Sequence, residues 1–597
     1  MKLLCAEGFL LRRDESSEIQ EVALGKAPAD LVVRGGTVVN TYTRTLERAD
    51  VAVKNDRIVT VGEVQHCIGQ RTHILSAEGK YLTPGLIDAH VHVAGFHVTL
   101  TELARALIPH GTTAITTDFY EMAAVAGVKA VRFCLQEAAE TSLKVLFLVP
   151  VLAYMQNRPF GFTGRFSAKD LKDLVKWPEA LGLCEPQPQY TGDPIIRDAM
   201  KETLALGKII EGHACELSSQ ELDAYLTLGA SSDHESTSAE EASAKVRLGM
   251  RILVREGSAA ADLERVIRAV GQGGADPRLF MFCTDEETPV DLWTLGHMDH
   301  KIRMTIEAGV SPVAAVQMAT LSAAEYLRVD HGLGSISPGK TADILLVDDL
   351  DKFTVSAVIA DGKLAARNGQ VLSSIKTPRY PRFMRGVVAL RRELHPSDFA
   401  VKVTGRVGAV RVRIIGVKEG YLISERLERE LKVTNGVVQP VPEHDVLKIS
   451  DIERHNASGR MGTAFISGFG LKEGAMACTY SPVCQNLVVL GADDADMALA
   501  VNELKRIGGG FIVVGGGKIL HKLKMSILGI MSDKPLEDVK GHFDVMHDTL
   551  RRLGCSLKAP FLTLAFMAYP PIPTYKISEY GLVEVDRKLS LFLNGSG

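Results

Sequence analysis

Between residues 30 and 64, apolar and polar positions alternate over short runs: Asp30-Leu31-Val32-Val33-Arg34-Gly35-Gly36, then Ala49 to Asp56, then Arg57-Ile58-Val59-Thr60-Val61-Gly62. Period-two alternation broken by turn residues predicts antiparallel strands. The same texture returns at Ala342 to Val347 and Val355 to Ala360, followed by the dipeptides Asp361-Gly362 and Asn368-Gly369. Both dipeptides are hairpin signals. Two β-rich segments flanking a long middle predict one composite β-sandwich, residues 1–83 with 335–385, in which residues 1–28 are an N-terminal extension.

The middle, residues 84–334, has another rhythm. Strand-like apolar runs alternate with helical stretches: Leu86 to Val93, Thr112 to Asp118, Val145 to Ala153, Leu181 to Cys184, Ile209 to His213, Gly229 to Asp233, Arg251 to Arg255 and Leu279 to Thr284. Eight such units in about 250 residues predict an α/β fold, a (β/α)8 barrel. An open doubly wound sheet would normally carry a Gly-rich first turn, and none is present. Residues 386–597 mix strand-like runs, Leu487 to Leu490 and Phe511 to Val514, with an amphipathic stretch from Asp493 to Ile507. They predict a C-terminal α+β domain. Gly508-Gly509-Gly510 and Gly515-Gly516-Gly517 lack the order of a phosphate loop and read as tight turns.

Composition narrows the function. The 597 residues carry 68 Lys+Arg against 72 Asp+Glu, a net charge of -4. No basic stripe stands out, so no nucleic-acid partner is expected. The longest apolar stretch, Val145 to Met155, is interrupted by Pro150 and is about half of what a bilayer crossing needs, so no membrane partner is expected either. The opening residues, Met1 to Glu7, hold too short an apolar run for a signal peptide. Nine scattered cysteines without Cys-x-x-Cys pairs fit a reducing cytoplasm.

The chemistry is concentrated at strand ends. Pro84-Gly85-Leu86-Ile87-Asp88-Ala89-His90-Val91-His92 puts two imidazoles on one face of a strand, because alternate side chains point the same way. Any His-x-His can be a chance pair. The weight comes from Glu185, His213, His234 and Asp285, each at the carboxyl end of a predicted strand, the face where barrel enzymes place their chemistry. Four imidazoles and two carboxylates suit two divalent ions, with the two oxygens of Glu185 as a bridge. Imidazole suits zinc and iron, and carboxylate suits manganese, which favours Mn2+ or Fe2+ with Zn2+ as the alternative. Cys184, Cys215 and Cys283 lie nearby and read as small residues filling barrel corners.

These stretches resemble the adenine deaminase family of the amidohydrolase superfamily. The likeness runs through Pro84 to His92, Gly212-His213-Ala214, Ser232-Asp233-His234-Glu235, Arg255-Glu256-Gly257-Ser258, Cys283-Thr284-Asp285 and Met318-Ala319-Thr320-Leu321. It continues at Ser467 to Lys472 and Met531-Ser532-Asp533. It implies a binuclear metal barrel, a composite β-sandwich and the family's own C-terminal domain. It also implies hydrolysis of adenine to hypoxanthine and ammonia, the six ligands His90, His92, Glu185, His213, His234 and Asp285, and a homo-oligomer, a dimer. The chain departs from the family's usual residues at Ala94-Gly95-Phe96, where Glu-Ser-Ser is usual, at Tyr120 and Thr288, where His is usual, and at Pro482-Val483-Cys484-Gln485, where His-Asp-Ser-His is usual.

Divalent ions in such a site acidify a water molecule towards neutrality. Asp285 is the residue expected to take its proton and pass it to the leaving nitrogen, with Glu121 or Asp118 protonating a ring nitrogen. Three readings stay open: deamination of adenine or a related amino-heterocycle, ring opening of a cyclic amide or imide, and a non-catalytic homologue. The full ligand set argues against the third. Asp285→Asn is expected to lower turnover by roughly 10²–10⁴-fold with metal content unchanged, as read by steady-state kinetics beside metal analysis.

Overall fold

The computed structural model describes residues 13–155, 165–372, 375–403, 408–585 and 587–593. Eight parallel strands build the barrel: Leu86–Asp88, Thr112–Thr117, Lys144–Pro150, Ala180–Cys184, Ile209–Ile210, Ser232–Asp233, Arg251–Arg255 and Phe280–Cys283. The first five pair in chain order as one sheet and the last three as another. Backbone hydrogen bonds join the two arcs. Ala89 N–H donates to the Phe282 carbonyl at 3.1 Å, and Ser231 N–H donates to the Ile210 carbonyl at 3.0 Å.

Alternation along these strands separates two apolar clusters. Ile87, Ala114, Leu146, Leu148, Leu181, Leu253 and Met281 share one cluster. Leu86, Ile115, Val145, Phe147, Val149, Leu183 and Phe282 belong to another, with helix residues such as Leu103 and Val131. The strands are therefore apolar on both faces, as a helix-wrapped parallel sheet requires.

Several strands stop earlier than the apolar pattern predicts. The third ends at Pro150 and gives way to a short helix, Val151–Met155. The first ends at Asp88 and the fifth at Ile210. Past those points backbone groups leave the ladder for partners across the opening, such as His92 N–H to the Asp285 carbonyl at 2.8 Å. The polar residues at the mouth are thus freed from the sheet's pleat.

Strands from both sides of the barrel segment form one nine-stranded sheet, the composite sheet expected from the two flanking segments. The stitch is the antiparallel pairing of Tyr81–Pro84 with Ile344–Val347, which brings the barrel's entry and exit together. Asp361-Gly362 and Asn368-Gly369 turn the expected hairpins, with positive φ at both residues of each. Leu31 and Val33 face one cluster and Val32 the opposite one. Part of the expected N-terminal extension is the helix Arg13–Ala23, whose Ile19 and Val22 cover the second face.

The C-terminal region contains a second nine-stranded sheet, running from Val437–Val438 at one edge to Lys518–Lys524 at the other. Asp494–Ile507 is a helix, and Gly515 to Lys518 make a tight hairpin with no phosphate-loop geometry. Helix Pro289–Leu295 of the barrel packs on helix Leu536–Arg552. Ser532 N–H donates to the His97 carbonyl at 2.8 Å. No helix among the described residues is long and apolar enough to cross a membrane.

Lys144 opens the third barrel strand and is buried. Its ammonium contacts Asp343 at 2.6 Å and Asp361 at 3.0 Å, tying the foot of the barrel to the composite sheet. Lys144→Ala leaves the Asp343 carboxylate buried without its cation. It is expected to cost about 3–5 kcal/mol, seen as a lowered unfolding midpoint in denaturant, while Lys144→Met with Asp343→Asn recovers part of the loss.

Candidate metal centre

Glu185 sits at the centre of the barrel mouth. It directly follows the fourth strand in a left-handed conformation, φ 47°. Asp285 does the same after the eighth strand, at φ 61°. Such backbone is uncommon outside glycine and clusters at functional sites. Here it turns both carboxylates off the strand direction and across the opening.

The six predicted residues are brought together. Glu185 Oε1 lies 3.3 Å from His90 Nε2 and 3.2 Å from His92 Nε2. Its other oxygen, Oε2, lies 3.2 Å from His213 Nδ1 and 3.8 Å from His234 Nε2. Asp285 Oδ1 joins the first pair, 3.6 Å from His90 Nε2 and 3.4 Å from His92 Nε2. The imidazoles of His90 and His234 stack with centroids 4.3 Å apart. All six side chains are buried.

Four groups that the strand-end reading did not pick out complete the cluster. Glu211 Oε1 stands 2.6 Å from His90 Nδ1 and 3.7 Å from His234 Nδ1. Its signal was available, because Glu211 and His213 are two apart near a strand end and so share a face. Glu235 Oε1 lies 3.4 Å from His234 Nε2 and 3.8 Å from His213 Nδ1. Arg255, from the one late strand that supplies no predicted ligand, reaches Glu235 at 2.5 Å, Asp285 Oδ2 at 3.1 Å and Asp262 at 2.9 Å. Glu286, beside Asp285, accepts a hydrogen bond from the Tyr480 hydroxyl at 2.5 Å.

The donors fit metal ions. His90 Nδ1 lies 2.6 Å from Glu211 Oε1, and its Nε2 lies 3.2 Å from His92 Nε2. Two ring nitrogens this close need a proton or a metal cation between them. Donors about 2.0–2.2 Å from an ion stand about 3.3–3.5 Å apart at tetrahedral angles, close to the separations around Glu185. His90, Glu185 and His234, and likewise His213, His234 and Glu235, each offer donor atoms within 4.8 Å of one another. The thiols of Cys184, Cys215 and Cys283 are pushed up by burial.

Burial opposes ionisation of Asp285, but its hydrogen bond with His90 and the charge of Arg255 outweigh that and hold it far below the usual carboxylate range. Among the described residues, Asp118, Glu121 and Glu286 have no guanidinium partner of this kind. Burial raises Asp118 to about 6, Glu121 to about 7 and Glu286 to about 8.

Asp118 and Glu121 do not border the open space. Asp118 stands behind His92, 3.8 Å from its Nδ1, and accepts from Tyr120 N–H. Glu121 is fully buried in the helix that opens at Tyr120, Tyr120–Ala126. The cavity over the cluster is lined by His92, Tyr120, Leu152, Glu185, His213, His234, Glu235, Asp285 and Glu286 from the barrel, and by Leu422, Pro482, Val483, Phe566, Tyr569 and Ile572 from the C-terminal region. Three of the positions that depart from the usual family residues, Tyr120, Pro482 and Val483, therefore face the cavity. Thr288 does not, and instead caps helix Pro289–Leu295.

A closed barrel with imidazoles and carboxylates gathered at its carboxyl-end mouth is the architecture of the amidohydrolases, which are metal-dependent hydrolases. Residues 81–365 match the amidohydrolase family and residues 421–588 match the adenine deaminase C-terminal domain. The chain is 37% identical over 571 residues to an adenine deaminase of Moorella thermoacetica, covering 95% of this chain and 96% of that one. It is 38% identical over 572 residues to adenine deaminase 2 of Carboxydothermus hydrogenoformans, covering 95% and 97%. A Clostridium botulinum adenine deaminase is 36% identical over 587 residues, covering 96% of each chain. The chain belongs to the adenine deaminase family. Divalent metal use goes with that family and with these clusters.

Carboxylates behind ligating imidazoles fix their tautomer and raise their basicity. Glu211→Gln is expected to weaken metal binding about 10–100-fold, as read by titrating the metal-free protein with manganese.

Proposed function

We propose that the protein is a binuclear aminohydrolase that converts adenine, or a closely related amino-heterocycle, and water to the oxo-heterocycle and ammonia. The observation that carries this reading is the division of Glu185, with one oxygen towards His90 and His92 and the other towards His213 and His234. Two ions are thereby proposed, one held by His90, His92 and Asp285, the other by His213 and His234, with Glu185 shared. Mn2+ or Fe2+ suits this mixture of donors, with Zn2+ the alternative. Bound divalent ions supply an acidified water as nucleophile at neutral pH.

The chain's own groups do the rest. Asp285 is held ionised by Arg255 and points its second oxygen to His90 and His92. It receives the proton of the attacking water and delivers it to the departing amino nitrogen. Glu121 and Asp118, expected to protonate a ring nitrogen, stand behind Tyr120 and His92 and do not line the cavity. Leu422, Pro482, Val483, Phe566 and Ile572 cover a flat ring with apolar surface and exclude bulk water, which strengthens every charge beneath them. A reducing cytoplasm is supported by the cysteines, all eight of which are free among the described residues. A homodimer without nucleic-acid or membrane partners completes the proposal.

Protein purified with added manganese is expected to release ammonia from adenine and to lose that activity to a chelator, with two ions per chain by metal analysis. Loss of ultraviolet absorbance from a cyclic amide without ammonia, and no ammonia from adenine, would replace this reading by ring-opening hydrolysis.

A further inference from the structure

Glu286 lines the cavity beside Asp285, is buried, and has one oxygen committed: Oε2 accepts the Tyr480 hydroxyl at 2.5 Å. Gly95 lies against the same oxygen. A Cβ on Gly95 would stand 2.5 Å from Glu286 Oε2, with the Glu287 carbonyl oxygen next at 3.4 Å. Gly95 is not among the residues with positive φ, so its backbone does not call for glycine. What calls for it is the space that Glu286 fills. Tyr480 is fixed from its other side, with its ring edge-on to His97 at 4.9 Å. The carboxyl group is therefore clamped between a hydroxyl and a bare backbone, and Oε1 is the oxygen left for a bound molecule.

The remaining walls decide what such a molecule is. Among the described residues no lysine or arginine lines the cavity, and its C-terminal side is largely apolar. A phosphorylated substrate would find no lysine or arginine among them. A flat, uncharged heterocycle with an N–H or a ring nitrogen at its edge would find one carboxyl group, held in place, and apolar faces above.

We propose that Glu286 reads the ring edge of the substrate, with Tyr480 as its positioning residue and Gly95 kept small to make room for it. This rests on the amino-heterocycle reading of the site and names the group that selects among such rings. A carboxyl oxygen can accept from an N–H of the ring or its amino group. A carboxyl O–H can donate to a ring nitrogen. Either contact is lost when the side chain is moved or replaced by an apolar one.

The test uses the full-length, manganese-loaded protein, with adenine as probe and metal analysis on every variant. Glu286→Leu is expected to lower kcat/KM for adenine roughly 10²-fold, and Tyr480→Phe by about tenfold, with metal content unchanged. Gly95→Ala is expected to match Glu286→Leu, because the new methyl displaces the carboxyl. Gly95→Ala combined with Glu286→Asp should regain about tenfold over Gly95→Ala alone, because the shorter acid vacates the space. A merely structural Glu286 would lower kcat/KM for adenine and for ring analogues alike, whereas a group that reads the ring edge changes the ratio between them. A wild type active on adenine with Glu286→Leu within twofold of it, or losses that leave that ratio unchanged, overturns the proposal and leaves the deaminase reading standing. A wild type that releases no ammonia from adenine or any other amino-heterocycle overturns both.

Discussion

The barrel mouth is organised by one carboxylate facing four imidazoles. Glu185 is buried and contacts His90, His92, His213 and His234 through both of its oxygens. An ionised carboxylate is costly to bury without compensation, and further acids crowd the same space: Asp285, Glu211 and Glu235. The guanidinium of Arg255 answers part of that charge, at Glu235 and Asp285. The rest, together with ring nitrogens held 3.2 Å apart, suits bound cations. The same constraint explains why Asp285 and Glu185 adopt left-handed backbone. A strand's regular pleat would send them along the barrel wall, and the strained turn sends them to the centre.

The second dependence is on the C-terminal region. The barrel alone supplies an open rim. Leu422, Pro482, Val483, Phe566, Tyr569 and Ile572 convert it into a covered cavity. The cover is held by specific polar contacts as well as by apolar packing: Tyr480 to Glu286 at 2.5 Å, Gln187 to Tyr569 at 2.6 Å, and Ser532 to the His97 carbonyl at 2.8 Å. These contacts join the element that holds the chemistry to the element that shapes the substrate. Val483 carries a β-branched side chain at φ 64°, a conformation that costs of order 1–3 kcal/mol. Strain at that point of the lid is consistent with a loop held in place by its neighbours so that it presents an apolar wall.

Much of the metal cluster was legible in the chain because each candidate follows from a local rule. His90 and His92 share a face through the strand's period of two, and Glu185, His213, His234 and Asp285 each close an apolar run whose length marks a strand. The Asp361-Gly362 and Asn368-Gly369 turns were legible for the same reason, since their geometry is a property of two residues. Strand ends were read too long at Val93, Ala153 and His213, because apolarity continues into loop and helix where the backbone has already left the sheet. That both flanking segments build one sheet was legible in their shared alternation, but their pairing at Tyr81–Pro84 with Ile344–Val347 is not encoded in either run alone.

By itself the sequence determined the barrel and the six side chains that meet, because these rest on periodicity and on residue type at strand ends, and the family through the motif stretches that resemble it. Only the tertiary structure decided which oxygen of Glu185 faces which imidazoles, that Glu211 and Arg255 support the cluster from behind, and that Glu286 rather than Glu121 or Asp118 borders the cavity. It also decided what covers the site: Tyr480 and Glu286 are 194 positions apart. Contacts at that separation depend on how two independently patterned segments pack. No local rule about spacing, charge or hydropathy reaches so far along a chain.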